Sequence, residues 1–145
     1  MRLLGLDIGE ARVGVAVSDP DGTVASPVAV LDGRQLARDI RPLRLLVEDY
    51  EVAGLVVGLP VGMNGEEGAQ AATVRSVADA WATVLGLPIT YVDERLSSAE
   101  AARSMHAAGV SARKQRGQLD MVAAALILQT HLDLQRGSGH DDREG

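Results

Sequence analysis

The hydrophobic pattern of this chain changes period once, and that change restricts the folds open to it. Up to Leu31 apolar side chains alternate with small or polar ones, the period of a strand. Met1 to Gly9 reads as a buried strand. Arg12 to Ser18 reads as a second, carrying Val13, Val15 and Val17 on one face. The link Gly9-Glu10-Ala11 is short enough for a hairpin. Asp19-Pro20-Asp21-Gly22 is a dense turn signal, and Thr23 to Leu31 follows as a third strand. Pro27 cannot donate to a ladder, so it predicts an edge position or a bulge there.

From Gln35 the period becomes helical, with Leu36, Ile40, Leu43, Leu46, Val47 and Tyr50 on one stripe up to Glu51. Pro42 inside that stripe predicts a kink or two abutting helices. Val52 to Leu59 is a buried fourth strand, Pro60 to Gly68 a glycine-rich loop, and Glu67 to Leu85 a helix. Pro88 to Val92 is a short fifth strand. Ser97 to Ala108 reads as a helix opened by the capping-box spacing of Ser97 and Glu100. Gly109 to Gly117 reads as a basic loop, Leu119 to Gln135 as the last helix, and the rest as a frayed tail. The order β-β-β-α-β-α-β-α-α demands an α/β fold. Its five-stranded mixed sheet has three antiparallel strands, then parallel additions, with helices on both faces. That is the order of a ribonuclease-H-like core, here a single domain over residues 1–136 with a flexible tail at 137–145.

Composition narrows the function. The chain has 145 residues, 46% of them hydrophobic, which suffices for one core. No apolar run approaches the roughly 20 residues of a membrane span. Asp7 interrupts any secretory h-region. With no cysteine, disulfides and thiolate metal sites are excluded, and a soluble cytoplasmic protein is expected. The net charge of -6 disfavours a nucleic-acid partner overall. Locally the balance reverses: from Arg95 to Arg116, Arg95, Arg103, Arg113, Lys114 and Arg116 face one acid, Glu100. The aromatic residues are Trp81, Tyr50 and Tyr91, too few for base-stacking platforms. Any nucleic acid would be gripped by its backbone and shape.

Asp7 sits among apolar residues and glycines in Leu3-Leu4-Gly5-Leu6-Asp7-Ile8-Gly9. A carboxylate there costs several kcal/mol unless it is paired or liganded, or it serves as a turn former. Asp120 lies in the first turn of the last expected helix, where Ala123 and Ala124, three and four residues later, share its face, so it can approach a sheet closely. A first-turn acid favoured by the helix dipole is the ordinary alternative. Glu94 and its neighbour Asp93 follow the fifth strand at its C-terminal end, where ligands gather in open α/β sheets. From the sequence either of the two can face the site. Asp7, Glu94 and Asp120 would form an all-oxygen set, which suits Mg²⁺ or Mn²⁺. Two such ions about 3.5–4 Å apart activate water and stabilise the leaving oxygen in phosphodiester hydrolysis. Arg12, Arg95, Arg113, Lys114 and Arg116 are the candidate phosphate contacts. His106 and His131 each stand alone on a helix and read as structural. Gly5, Gly9 and Gly14 lack the dinucleotide fingerprint and read as aids to tight strand pairing near Asp7.

Four motifs then carry a family resemblance. They are Leu6-Asp7-Ile8-Gly9 with Arg12-Val13-Gly14-Val15-Ala16-Val17-Ser18-Asp19, then Val56-Val57-Gly58-Leu59-Pro60, Val92-Asp93-Glu94-Arg95-Leu96-Ser97-Ser98, and Asp120-Met121-Val122-Ala123-Ala124. Each is weak alone, but together and in order the chain resembles the YqgF, or RuvX, family from Leu3 to about Leu134. The resemblance implies a ribonuclease-H-like fold and a catalytic triad on Asp7, Glu94 and Asp120. It further implies maturation of the 5′ end of pre-16S rRNA, with Holliday junction resolution as the alternative. The loop after Pro60 departs from the family's Asn-Met-Asp-Gly, reading Gly62-Met63-Asn64-Gly65. Two other classes stay open. One is a phosphotransferase, since sugar kinases also open on an Asp-Ile-Gly turn but need two domains. The other is a non-catalytic RNA-binding assembly factor. Cutting a four-way junction would need a homodimer, to which Leu43, Leu46 and Trp81 could contribute a stripe.

Overall fold

The computed structural model describes residues 1–62, 64–97 and 112–144, the last helix by its backbone alone at 112–118 and 138–144. Its strands are β1 (Arg2–Ile8), β2 (Arg12–Ser18), β3 (Ala25–Asp32), β4 (Val52–Leu59) and β5 (Ile89–Asp93). Its helices are α1 (Gly33–Arg38), α2 (Arg41–Asp49), α3 (Ala69–Leu85) and α4 (Ala112–Glu144), and a 3-10 turn covers Glu94–Leu96. The strands form one sheet in the order β3-β2-β1-β4-β5. β1 and β2, and β2 and β3, pair antiparallel, whereas β4 joins β1 and β5 joins β4 in parallel. The five-stranded mixed sheet expected from the change of period is therefore the observed one.

Strand alternation divides the side chains between two layers. Leu4 and Leu6 of β1, Val13, Val15 and Val17 of β2, and Leu55, Val57 and Leu59 of β4 face one side. There they pack with Leu36, Leu43, Val74, Ala78 and Trp81 from α1, α2 and α3. The opposite face is smaller. Ala16, Val56 and Val92 pack there against Ala123, Ala124, Ile127, Leu128 and Leu132 of α4. Each fully buried Leu or Ile contributes roughly 1.5–3 kcal/mol, so both layers are needed.

Local chemistry explains most element boundaries. β3 is an edge strand, and its register with β2 shifts between Val15 and Ala16, opposite Ala29 and Pro27, as Pro27 requires. The stripe after Leu31 splits into α1 and α2, with Pro42 in the first turn of α2, where a missing N–H costs nothing. Asp32 caps α1 by accepting from the Arg34 and Gln35 amides. Among the described residues no helix is long and apolar enough to cross a membrane.

Two expectations change. The segment from Ala112 to Gly117, read as part of a loop, opens α4, and the backbone of that helix runs on through Glu144, past Gln135. An Arg-, Lys- and Gln-rich stretch suits the exposed face of a helix as well as a loop, which is why composition misled. Leu43 and Trp81, offered as a dimer stripe, are core residues, and Leu46 packs against the same core. The helix expected from Ser97 to Ala108 lies outside the described residues beyond Ser97.

Candidate active site

The site begins with Asp7, near the end of β1, which is only 7% exposed. Its antiparallel neighbour on β2 is Gly14. On the parallel side Leu6 pairs with Val57, so the next position of β4, Gly58, stands level with Asp7. Asp7 thus lies in a row with glycine on each adjacent strand. Alternation turns this row toward α4, because Leu6, Val13 and Val57 point to the other layer.

Those glycines admit the two other candidate carriers. A Cβ on Gly14 would stand 1.9 Å from the Asp120 carbonyl oxygen, so the backbone of α4 rests on β2 at this residue. A Cβ on Gly58 would meet Ile127 Cδ1 at 2.4 Å and Glu94 Cγ at 3.2 Å. Asp120 therefore lies over one flank of Asp7 and Glu94 over the other. Gly5 is also covered by α4, with Leu128 Cβ 2.7 Å from where its own Cβ would be. The sequence reading gave Gly5 and Gly14 to strand pairing; their smallness instead admits the helix.

The same geometry separates Glu94 from Asp93. Val92 faces the α4 layer, and Glu94 Cγ borders Gly58 on that side. Asp93 is engaged with Arg95. It accepts from Arg95 Nε at 3.1 and 3.0 Å, from Nη2 at 2.5 Å and from the Arg95 amide at 2.9 Å. The Arg95 side-chain hydrogen bonds hold the Asp93 carboxyl below its usual range and raise the guanidinium in turn. Asp93 is thus the anchor of Arg95, and Glu94 is the acid on the Asp7 face.

Arg12 Nε donates to Asp120 Oδ2 at 2.8 Å across 108 positions of sequence. Arg113, Lys114 and Arg116 belong to the first turns of α4, on the chain just before Asp120. Next to Glu94 and Arg95, a cavity of about 510 Å³ is lined by Pro60, Asn64, Glu67 and Gln70. The glycine-rich loop therefore borders the same opening as Glu94. Glu67 ties it to α3 by accepting from Arg75 Nε at 2.6 Å and Nη2 at 2.9 Å. The sequence reading missed this anchor, whose signal was only an acid and an arginine eight positions apart. His131 is 9% exposed and burial lowers its pKa, in keeping with a structural histidine; His106 lies outside the described residues.

The donor chemistry of Asp7, Glu94 and Asp120 suits a hard divalent cation, and the glycine row brings their backbones together. Among the described residues, however, no three acidic, histidine or cysteine side chains stand close enough to hold one ion together. Asp120 is turned to Arg12 instead. The backbone frame fits a metal, while the Asp120 side chain is arranged as the partner of a cation from the chain itself.

Known proteins resemble this chain over nearly its whole length. A relative in Streptomyces avermitilis is 41% identical over 145 residues, 99% of this chain and 93% of the relative; it is described as a "Putative pre-16S rRNA nuclease". A relative with the same description in Anaeromyxobacter dehalogenans (strain 2CP-C) is 47% identical over 133 residues, covering 92% of this chain and 97% of its own. Among solved structures, Thermus thermophilus RuvC in complex with a Holliday junction substrate superposes with a TM-score of 0.61. It is 15% identical, and the match covers 94% of this chain and 96% of that one, a likeness of fold. The model of the RuvX family, described as Holliday junction resolvase, matches residues 1–134. With nearly the whole described fold inside that match, this chain belongs to the RuvX family.

Proposed function

We propose that this protein is a divalent-metal-dependent nuclease of the cytoplasm that hydrolyses phosphodiester bonds in structured nucleic acid, with the 5′ end of pre-16S rRNA as its substrate. The observation that carries the reading is the row Gly14-Asp7-Gly58, with Asp120 above one glycine and Glu94 above the other. Asp7, Glu94 and Asp120 would hold one or two Mg²⁺ or Mn²⁺ ions. Bound there, such ions lower the pKa of an attacking water and stabilise the departing oxygen. The chain's own residues do the rest. Arg95, oriented by Asp93, meets phosphate at the Glu94 side of the opening. Arg12 supplies positive charge at the Asp120 side, and Arg113, Lys114 and Arg116 precede Asp120 on the same helix. The loop from Pro60 to Gly68 bounds the substrate on the far wall of the Glu94 cavity.

The rRNA substrate is favoured by the descriptions of relatives at 41% and 47% identity. The family description favours a second reading, cleavage of a Holliday junction. A symmetric cut of that kind requires two sites related by a twofold axis, hence a dimer. One experiment tests both. The protein, with Asp7→Asn and Asp120→Asn beside it, is incubated with Mn²⁺ and either a 5′-extended 16S rRNA fragment or a four-way DNA junction. Cleavage of the RNA by the wild type is expected, with a loss of at least about a hundredfold in each variant, equivalent to about 3 kcal/mol. Equal cleavage by all three proteins on both substrates would refute the site. Cutting of the junction alone would move the substrate to branched DNA.

A further inference from the structure

The pairing of Arg12 with Asp120 assigns the arginine a second role. Arg12 opens β2, and its cross-strand neighbour on β3 is Asp32. That carboxylate is engaged in capping α1, since its Oδ1 accepts from the Arg34 and Gln35 amides. Arg12 donates instead to Asp120, whose side chain is 17% exposed while that of Arg12 is 41% exposed. A half-exposed guanidinium can turn away from the carboxylate without unpacking the core, whereas Asp120 is fixed by the rest of α4 on Gly14.

We propose that Arg12 is a placeholder cation: it neutralises Asp120 while no metal is bound, and when a divalent ion takes that carboxylate, Arg12 passes to a phosphate of the nucleic acid. This rests on the site reading above and adds an order to it. Metal and Arg12 compete for Asp120, so metal binding releases a phosphate contact, and a bound phosphate in turn favours the metal. By linkage the two effects are equal in free energy. The protein therefore grips its substrate by one more arginine when it is loaded to cut.

Three measurements on the full chain test this. Mn²⁺ affinity is first measured by electron paramagnetic resonance without nucleic acid. Arg12→Gln is expected to bind about fivefold more tightly than the wild type, the size of a partly exposed ion pair, while Asp7→Asn and Asp120→Asn lose binding. Next, the salt dependence of binding to an uncleaved four-way DNA junction is compared for wild type and Arg12→Gln, with and without Ca²⁺. Their slopes of log K against log salt are expected to coincide without the ion and to differ by about 0.9, one phosphate contact, with it. Last, the Arg12 Nε–H resonance of the wild type is followed by ¹⁵N NMR and is expected to shift saturably with Mg²⁺; this reading requires no variant to fold. A slope difference that ignores Ca²⁺, or a resonance indifferent to Mg²⁺, overturns the placeholder role. If Asp7→Asn and Asp120→Asn bind Mn²⁺ as the wild type does, the site reading itself falls, and the placeholder with it. If those two lose binding while Arg12→Gln matches the wild type, the placeholder alone falls.

Discussion

Replacing Gly14 by alanine adds one methyl group where α4 is set down on the sheet. That carbon would stand 1.9 Å from the Asp120 carbonyl oxygen, 2.4 Å from its carbonyl carbon and 3.2 Å from its Cα. Ordinary contact begins near 3.5 Å, so α4 must rise by about 1.5 Å or β2 must sink by as much. Neither can absorb it by turning a side chain, because both surfaces in contact are backbone. Overpacking costs typically 1–3 kcal/mol, and a backbone collision belongs at the upper end, about 3 kcal/mol. For a domain of this size that is roughly a 6–12 °C fall in melting temperature. The lift also carries Asp120 away from Asp7, and a 1 Å misplacement of a reacting group costs on the order of a hundredfold in rate. Thermal melts and Mn²⁺-dependent cleavage of the RNA fragment, read side by side for Gly14→Ala and the wild type, provide the assay. A variant that melts within about 2 °C of the wild type and cleaves at the wild-type rate would show that α4 does not rest on Gly14.

Three further substitutions probe features away from the site. Gly137→Ala, within α4 and with nothing within 4 Å of the added methyl, should raise stability by about 0.5–1 kcal/mol; no change in a urea melt would place residue 137 in the frayed tail that its composition suggests. Glu51→Gly should stabilise by about 1 kcal/mol, since Glu51, just after the Tyr50 cap of α2, has φ 52, a left-handed conformation that costs a side chain about that much; a lower urea midpoint would contradict it. Burial lowers His131 from its ordinary 6.5, so below that value the unfolded chain takes up more protons than the folded one. The contribution to stability is complete above pH 6.5 and is lost as the pH falls through and below it. The gap in melting temperature between pH 7.5 and pH 5.5 should narrow in His131→Leu, and an unchanged gap would count against the burial.

The sheet was legible because its strands are punctuated. Val52 to Leu59 is bounded by a helix end and Pro60, and the β2 bounds match the Val13-Val15-Val17 alternation, so periodicity alone found them. Pro27 and Pro42 gave the register shift of β3 and the break between α1 and α2, because a missing N–H has few places to go. The start of α4 was not legible, since the polar face of a helix and a polar loop have the same composition. Asp93 and Glu94 could not be told apart from the sequence, because the choice depends on which face α4 covers. Signs of that face were present: Gly5, Gly14, Ala16 and Gly58 are small residues between Leu and Val of the other layer, and Ala123 and Ala124 are their counterparts on the helix. Small opposite small means close approach. The pairing of Arg12 with Asp120 has no such sign, since it joins two residues 108 positions apart through side-chain geometry alone.

The helix that lies on Gly5 and Gly14 is synthesised after all five strands of the sheet. While a ribosome is still making this protein, β1 to β5 can pair and the layer with Trp81 can close, yet the face bearing Ala16, Val56 and Val92 still lacks its α4 side chains. Asp120, the proposed partner of Asp7, lies more than a hundred residues downstream. A nascent chain stalled before Asp120 lacks the apolar residues of α4 that pack on this face, which favours aggregation, and lacks a third of its proposed ligand set. On the proposed site, activity cannot precede the synthesis of α4, because Asp120 is one of its ligands.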